Sequence, residues 1–163
     1  MTDRSCENYI LRQLPSKLSV AVYAARDKLK QPISEIRIRA GHRVMLTVNG
    51  SNLPVECILT KDEIGELVYS LCGSSMYAHA DTINRGYISA AHGIRIGICG
   101  RAVADGETIT AVRDFTSLCI RIPRRYPGSG DVIKEVLKTL DRPSCVLLYS
   151  PPGVGKTTAL REY

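Results

Sequence analysis

Apolar positions over the first thirty residues recur at helical spacing in two pieces. Tyr9 to Leu14 forms the first, before Pro15, and Leu18, Val22, Ala25 and Leu29, about four positions apart, form the second. Both are expected to cap a sheet. Pro32 to Arg39 then switches to alternation, setting Ile33 or Ile36 and Ile38 against Arg37 and Arg39, and Arg43 to Val48 repeats a strand pattern after a turn at Gly41. Asn49-Gly50 is a strong turn signal that closes this pair before a strand at Val55 to Leu59.

Thr60-Lys-Asp-Glu63 spells a capping box, and Ile64, Leu67, Val68 and Leu71 follow on one helical face until Gly73. A shorter helical stretch runs from Ser75 to Ile83 and closes at Asn84-Arg85-Gly86. From there period two dominates. Ile94, Ile96 and Ile98 face one side and Arg95, Gly97 and Cys99 the other; Asp105-Gly106 turns the chain, Thr108 to Val112 returns antiparallel, and Leu118 to Ile122 adds a further strand. Residues 1–122 therefore read as an α+β domain with an antiparallel or mixed sheet.

Two prolines and two glycines within Pro123 to Gly130 mark a linker and hinge. Beyond it, residues 131–163 read as the start of a second, α/β domain. Asp131 can cap a helix with Ile133, Val136, Leu137 and Leu140 on one face, and Pro143 separates it from Cys145-Val-Leu-Leu-Tyr149. That run is apolar on both faces, as a central strand of a helix-covered parallel sheet would be.

Composition narrows the class. The 163 residues carry 22 Lys+Arg against 16 Asp+Glu, a net charge of +6, and 44% hydrophobic residues, which suits a folded chain with a buried core. The longest apolar run, Val20 to Ala25, is far short of the roughly 20 residues needed to span a bilayer. The amino terminus lacks a signal-peptide pattern, so the expected compartment is the cytoplasm. There thiols stay reduced, and Cys6, Cys57, Cys72, Cys99, Cys119 and Cys145 read as free structural thiols in apolar segments. His42, His79 and His92 stand alone and read as surface residues.

The chemistry lies in Ser150-Pro-Pro-Gly-Val-Gly-Lys-Thr157, followed by Thr158-Ala-Leu-Arg-Glu, in the order strand, glycine-rich loop, helix. Such a loop wraps backbone N–H groups around a β-phosphate at a helix N-terminus. Gly153 and Gly155 permit the close approach, Lys156 neutralises β/γ oxygens, and the Thr157 hydroxyl reaches Mg²⁺. Ser150, Pro151, Pro152, Val154 and Thr158 complete the expected nucleotide site. Ser150 stands where the usual pattern has a glycine, and two prolines after it restrict the loop. The sequence given ends six residues past Thr157, before any Walker B aspartate or water-positioning carboxylate. The expectation is half a nucleotide site, with weak binding, no meaningful hydrolysis by this chain alone, and a longer polypeptide beyond it.

Several blocks together resemble the stage III sporulation protein AA family: Glu-Ile-Arg-Ile-Arg-Ala-Gly (35–41), Asn-Arg-Gly-Tyr-Ile (84–88), Gly-Ile-Arg-Ile-Gly-Ile-Cys-Gly-Arg-Ala-Val (93–103), Thr-Ser-Leu-Cys-Ile-Arg-Ile-Pro-Arg (116–124) and the loop itself. The match runs from about Leu14 to the end, and Ser150 fits the family's own loop. The family is similar to the AAA-like ATPases of type II and type IV secretion, in which an α/β domain precedes a RecA-like motor domain and subunits form a hexameric ring. The resemblance implies a mother-cell ATPase, peripheral to the engulfing membrane, that powers or assembles the channel joining mother cell and forespore. Implied ligands and partners are ATP, Mg²⁺, further copies of the chain in a ring, and membrane proteins of that channel. It also implies that arginines of the first domain approach the phosphates; Arg113 and Arg121, with Arg101 behind them, are the candidates, against the alternative that they lie on a solvated sheet face.

Two other readings compete. The positive charge, clustered at Arg37-Arg39-Arg43 and Arg121-Arg124-Arg125, could bind nucleic acid. With only 6% aromatic residues and no Trp there is little to stack on bases, so nucleic acid is the less expected partner. Alternatively, residues 1–122 form a non-catalytic docking domain.

Overall fold

The computed structural model describes residues 4–124, 127–140 and 145–162, with backbone alone at 4, 161 and 162. The chain divides into two compact units, Met1–Pro123 and Arg124–Tyr163.

The first unit is a mixed α/β structure built on one antiparallel sheet. Its elements are α1 (Arg4–Gln13), α2 (Ser16–Leu29), β1 (Glu35–Arg39), β2 (Arg43–Val48), β3 (Ser51–Ile58), α3 (Lys61–Leu71), α4 (Ala80–Asn84), β4 (Tyr87–Ser89), β5 (Arg95–Asp105) and β6 (Thr108–Arg121). Pro15 separates α1 from α2 as expected, because it cannot donate within a helix but can sit at the start of one. The strand order is β3-β2-β1-β6-β5-β4. Alternation decides the faces: Ile36, Ile38, Val44, Leu46, Ile96, Ile98, Leu118 and Ile120 are buried in one core together with Ile10, Leu18, Ile64 and Leu67 of the helices. The arginines between them on β1 are exposed. Glu7 is buried at the helix layer, where its carboxylate accepts from the Ile33 amide at 3.3 Å and faces Arg26 at 3.6 Å, so the buried charge is compensated.

The capping box forms as written: Thr60 Oγ1 accepts from the Glu63 amide at 3.2 Å and Glu63 accepts from the Thr60 amide at 2.8 Å. Asn49 and Gly50 both take positive φ, 49° and 81°, which is the two-residue hairpin geometry. That turn pairs Val48 directly with Ser51, so β3 begins at Ser51 rather than at Val55. Pro54 is tolerated inside it because β3 is the sheet edge. The stretch expected to be one helix over Ser75–Ile83 is a 3₁₀ turn at Tyr77–His79 followed by α4.

Two expectations are corrected. Thr108–Val112 and Leu118–Ile122 are not separate strands; all but Ile122 belong to the two ends of the single fourteen-residue β6. A register shift between Cys99 and Arg101, opposite Asp114 with φ 49°, bends the ladder without breaking it. Nor are all six cysteines interior: Cys57 and Cys72 are buried, Cys6 and Cys119 are half-buried, and Cys99 and Cys145 are exposed, all of them free. Cys99 alternates to the open face of β5, and Cys145 lies in a segment with no covering layer among the described residues. His42 and His92 are exposed and His79 half-buried. No described helix is long and apolar enough to cross a membrane.

The second unit contains α5 (Asp131–Lys138) and α6 (Lys156–Glu162). Gly130, not Asp131, occupies the cap position of α5; Asp131 is its first residue and pairs with Lys134 at 3.3 Å. Of the expected apolar face, Ile133 is buried, while Val136 and Leu140 remain substantially exposed. Cys145–Tyr149 is not a strand here: it carries no ladder, and Leu147 and Tyr149 are 90% and 89% exposed. A central strand is defined by neighbours on both edges, and the described residues supply none. Arg125, Tyr126, Pro143 and Tyr163 lie outside the described residues.

Candidate functional site

The loop between Tyr149 and α6 is shaped by its glycines. Gly153 and Gly155 adopt φ of 82° and 93°, a region that costs other residues strain, and no atom stands within 4 Å of where a Cβ would be on either. The chain therefore turns twice in open space before Lys156 starts the helix, with Ala159 donating back to the Gly155 carbonyl at 2.9 Å. Pro151, Pro152 and Val154 are exposed on the loop.

The Lys156 ammonium folds back into this loop. It donates to the Ser150 carbonyl at 2.7 Å, to Ser150 Oγ at 3.1 Å and to the Pro151 carbonyl at 2.9 Å. Ser150, the residue that departs from the usual pattern, thus supplies two of the three oxygens around the cation. An ammonium has three donors and no acceptor, and all are engaged by oxygens. Phosphate oxygens can take the place of these carbonyls with a gain in charge complementarity, so the group fits the β/γ end of a nucleotide. Thr157 is exposed beside it, its hydroxyl accessible to a hydrated divalent cation. Among the described residues no cluster of His, Cys, Asp or Glu could itself hold a metal ion.

Ser129 was not singled out by the sequence, which marks it only as linker. Its hydroxyl donates to the Thr158 carbonyl at 3.5 Å, tying the turn before α5 to the helix that carries Lys156.

The three arginines expected near the phosphates do not form one group. Arg101 and Arg113 are cross-strand neighbours, with Arg101 Nε donating to Asp114 at 2.6 Å. Arg121 lies eight positions further along β6, ~26 Å away at strand rise. There it pairs with Glu35 at 3.3 Å, beside Arg37, which bonds the same carboxylate group. The structure therefore separates Arg121 from the Arg101/Arg113 pair.

The family model described as "Sporulation stage III, protein AA" matches residues 7–163. Stage III sporulation protein AA of Bacillus subtilis (strain 168) is 29% identical over 157 residues, covering 95% of this chain and 50% of the relative. The chain thus spans about half the length of the curated relative it matches. Among solved structures, the Legionella pneumophila ATPase DotB aligns over 86% of this chain and 38% of its own, at 17% identity and a TM-score of 0.47. The VirB11 ATPase from the Brucella suis type IV secretion system, in complex with sulphate, aligns over 90% of this chain and 44% of its own, at 21% identity and a TM-score of 0.40.

Proposed function

Since the chain belongs to the Sporulation stage III, protein AA family, we propose that it is the ATP-binding amino-terminal portion of a sporulation ATPase, with the unit from Arg124 onward beginning a RecA-like P-loop domain. The observation that carries this reading is the Lys156 ammonium held by Ser150 and Pro151 oxygens in a loop turned by two left-handed glycines. In the bound state Lys156 exchanges those oxygens for β/γ-phosphate oxygens. Amides from Gly153 to Thr158 line the phosphates, and the Thr157 hydroxyl contributes to Mg²⁺. Bound Mg²⁺-ATP would supply the phosphoryl transfer that drives a motor of this kind.

Under this proposal the whole protein works as a ring of identical subunits in the mother cell, against membrane proteins of the channel to the forespore that it powers or assembles. The first unit's part in the motor is to carry arginines toward the nucleotide, with Arg101 and Arg113 as one candidate pair and Arg121 as another.

The test is a titration of the chain with a fluorescent ATP analogue, with and without Mg²⁺, alongside Lys156→Ala. Saturable, Mg²⁺-dependent binding that the substitution abolishes supports the proposal. Equal binding by the variant, with an unchanged circular-dichroism melt, would falsify it.

A further inference from the structure

The face of the sheet turned away from the helices carries a second constellation, remote in sequence from the loop. Register across six strands sets Pro54, Met45, Arg37, Cys119, Gly97 and Tyr87 in one continuous row. The adjacent row runs Thr47, Glu35, Arg121, Arg95 and Ser89. On the opposite side of the first row lie Arg39 and Ser117. Strand pairing therefore gathers arginines from four strands, including two clusters that are far apart in the chain.

The first row from Pro54 to Gly97, with the residues on its Arg39 side, lines a groove of about 750 Å³ that has Met45, Gly97 and Cys119 at its floor and Arg37, Arg39, His42 and Arg43 at its rim. Its floor is apolar because Gly97 has no side chain and Cys119 is a small thiol, so the sheet dips between longer neighbours. The electrostatics of the rim are unbalanced. Glu35 serves both Arg37 and Arg121, and Glu56 faces Arg43 at 3.2 Å. Among the described residues Arg39 and Arg95 have no carboxylate partner. Arg95 and Arg121 stand directly opposite each other across β5 and β6, a like-charge pairing that costs sheet stability. Arginines arranged this way favour an anionic group brought from outside.

We infer that this groove is a docking site for an acidic, partly apolar peptide segment of a partner protein. Three arginines that line the groove, Arg37, Arg39 and Arg43, with Arg95 and Arg121 beside it on the same sheet face, against two carboxylates, Glu35 and Glu56, supply the charge complementarity. The apolar floor receives side chains, which a phosphate backbone lacks. The lining holds no Phe, Tyr or Trp and a single imidazole, His42, where a run of bases would need several rings to stack on, so a peptide fits better than a single-stranded nucleic acid. The residues that line the groove all belong to the first unit.

The experiment uses the full chain and a fluorescein-labelled twelve-residue probe, three repeats of Glu-Leu-Glu-Ser, read by anisotropy. Arg39→Ala with Arg95→Ala removes one charge at the rim and one beside the groove, neither paired with a carboxylate, and should weaken binding at least about tenfold. Arg12→Ala with Lys28→Ala removes equal charge from exposed helix positions and should leave it unchanged. Gly97→Val fills the floor at constant charge; its Cβ would meet Cys119 Cβ at 3.8 Å, an ordinary contact, and with a thermal melt showing that the variant is folded, binding should fall. The inference is overturned by absence of saturable binding, by equal loss in the helix control, or by indifference to Gly97→Val. It is overturned equally if a twenty-nucleotide oligothymidylate binds more tightly and loses that binding with Arg39 and Arg95. Lys156→Ala should not affect the peptide, which separates this result from the nucleotide test.

Discussion

The Lys156 ammonium lies 2.7 Å from the carbonyl oxygen of Ser150, six residues earlier in the chain. This contact closes the loop with a side chain rather than with backbone ladders. Lys156→Ala should remove nucleotide binding and leave thermal stability nearly unchanged, since the released carbonyls belong to exposed Pro151 and half-buried Ser150 and can be hydrated. Lys156→Arg should recover little, because a planar guanidinium cannot place its donors on the same three oxygens. Calorimetric titration with Mg²⁺-ATP and a melt of each variant check both halves.

Gly100 is required for a different reason. A Cβ there would sit 2.4 Å from the Arg113 carbonyl oxygen and 3.3 Å from Phe115 Cα, both backbone atoms that cannot yield cheaply. Gly100→Ala should destabilise the chain by about 1–3 kcal/mol. Gly97→Ala, whose nearest neighbour is Cys119 Cβ at 3.8 Å, should be close to neutral. Urea unfolding of the two variants side by side gives the difference.

That close approach also explains where the sequence misled. Alternation identified both ends of β6 correctly, but Arg113, Asp114 and Phe115 break period two, and the pattern reads as two strands. The ladder survives because Gly100 lets β5 approach and Asp114 takes a left-handed φ, neither of which periodicity expresses. Local chemistry was fully legible: the Thr60–Glu63 box and the Asn49-Gly50 turn each depend on residues adjacent in sequence. The apolar run at Cys145–Tyr149 was not, because strand formation there needs partners that the described residues do not provide. The loop at Ser150–Thr157 was legible as spacing, whereas the use of Ser150 as the lysine's acceptor required coordinates. The sheet-face groove lies at the far end of that scale, since Arg39 of β1 and Gly97 of β5 come to one side of the sheet only through β6.

Thr60 and Glu63 predict a measurable cap. Thr60→Ala leaves the Glu63 amide without its acceptor at the start of α3 and should cost about 1 kcal/mol. Restoring Ser at that position should recover most of it, which a shift of the unfolding midpoint will report.

Glu63 also gives the acid side of the stability curve a sign. Its carboxyl is held below the usual range by the hydrogen bond from Lys17, then by the Thr60 amide and the Lys17 charge. A carboxylate with a depressed folded pKa stabilises the fold above the unfolded value, near 4.3, and loses that contribution as pH falls through the folded value. The gap in unfolding midpoint between the parent and Glu63→Gln should therefore be full at pH 7, narrow below about pH 4, and close as the parent's own carboxylate takes a proton. A gap that widens on acidification would contradict the assignment.

The cysteines should separate by environment when the native chain is treated with iodoacetamide near pH 8. Burial pushes the thiols of Cys57 and Cys72 up, so each has little thiolate and no access. Cys119 is also pushed up, first by burial and then by the nearby Glu35 charge, yet it floors the open groove. Cys99 and Cys145 are exposed. Peptide mapping by mass should show Cys99 and Cys145 modified first, Cys119 later, and Cys57 and Cys72 only after denaturant is added. Because Cys119 combines a suppressed thiolate with a reachable position, raising the pH should accelerate its labelling more than that of Cys57, where access itself depends on opening of the core. Equal pH dependence at the two sites would mean that the groove floor is closed in solution.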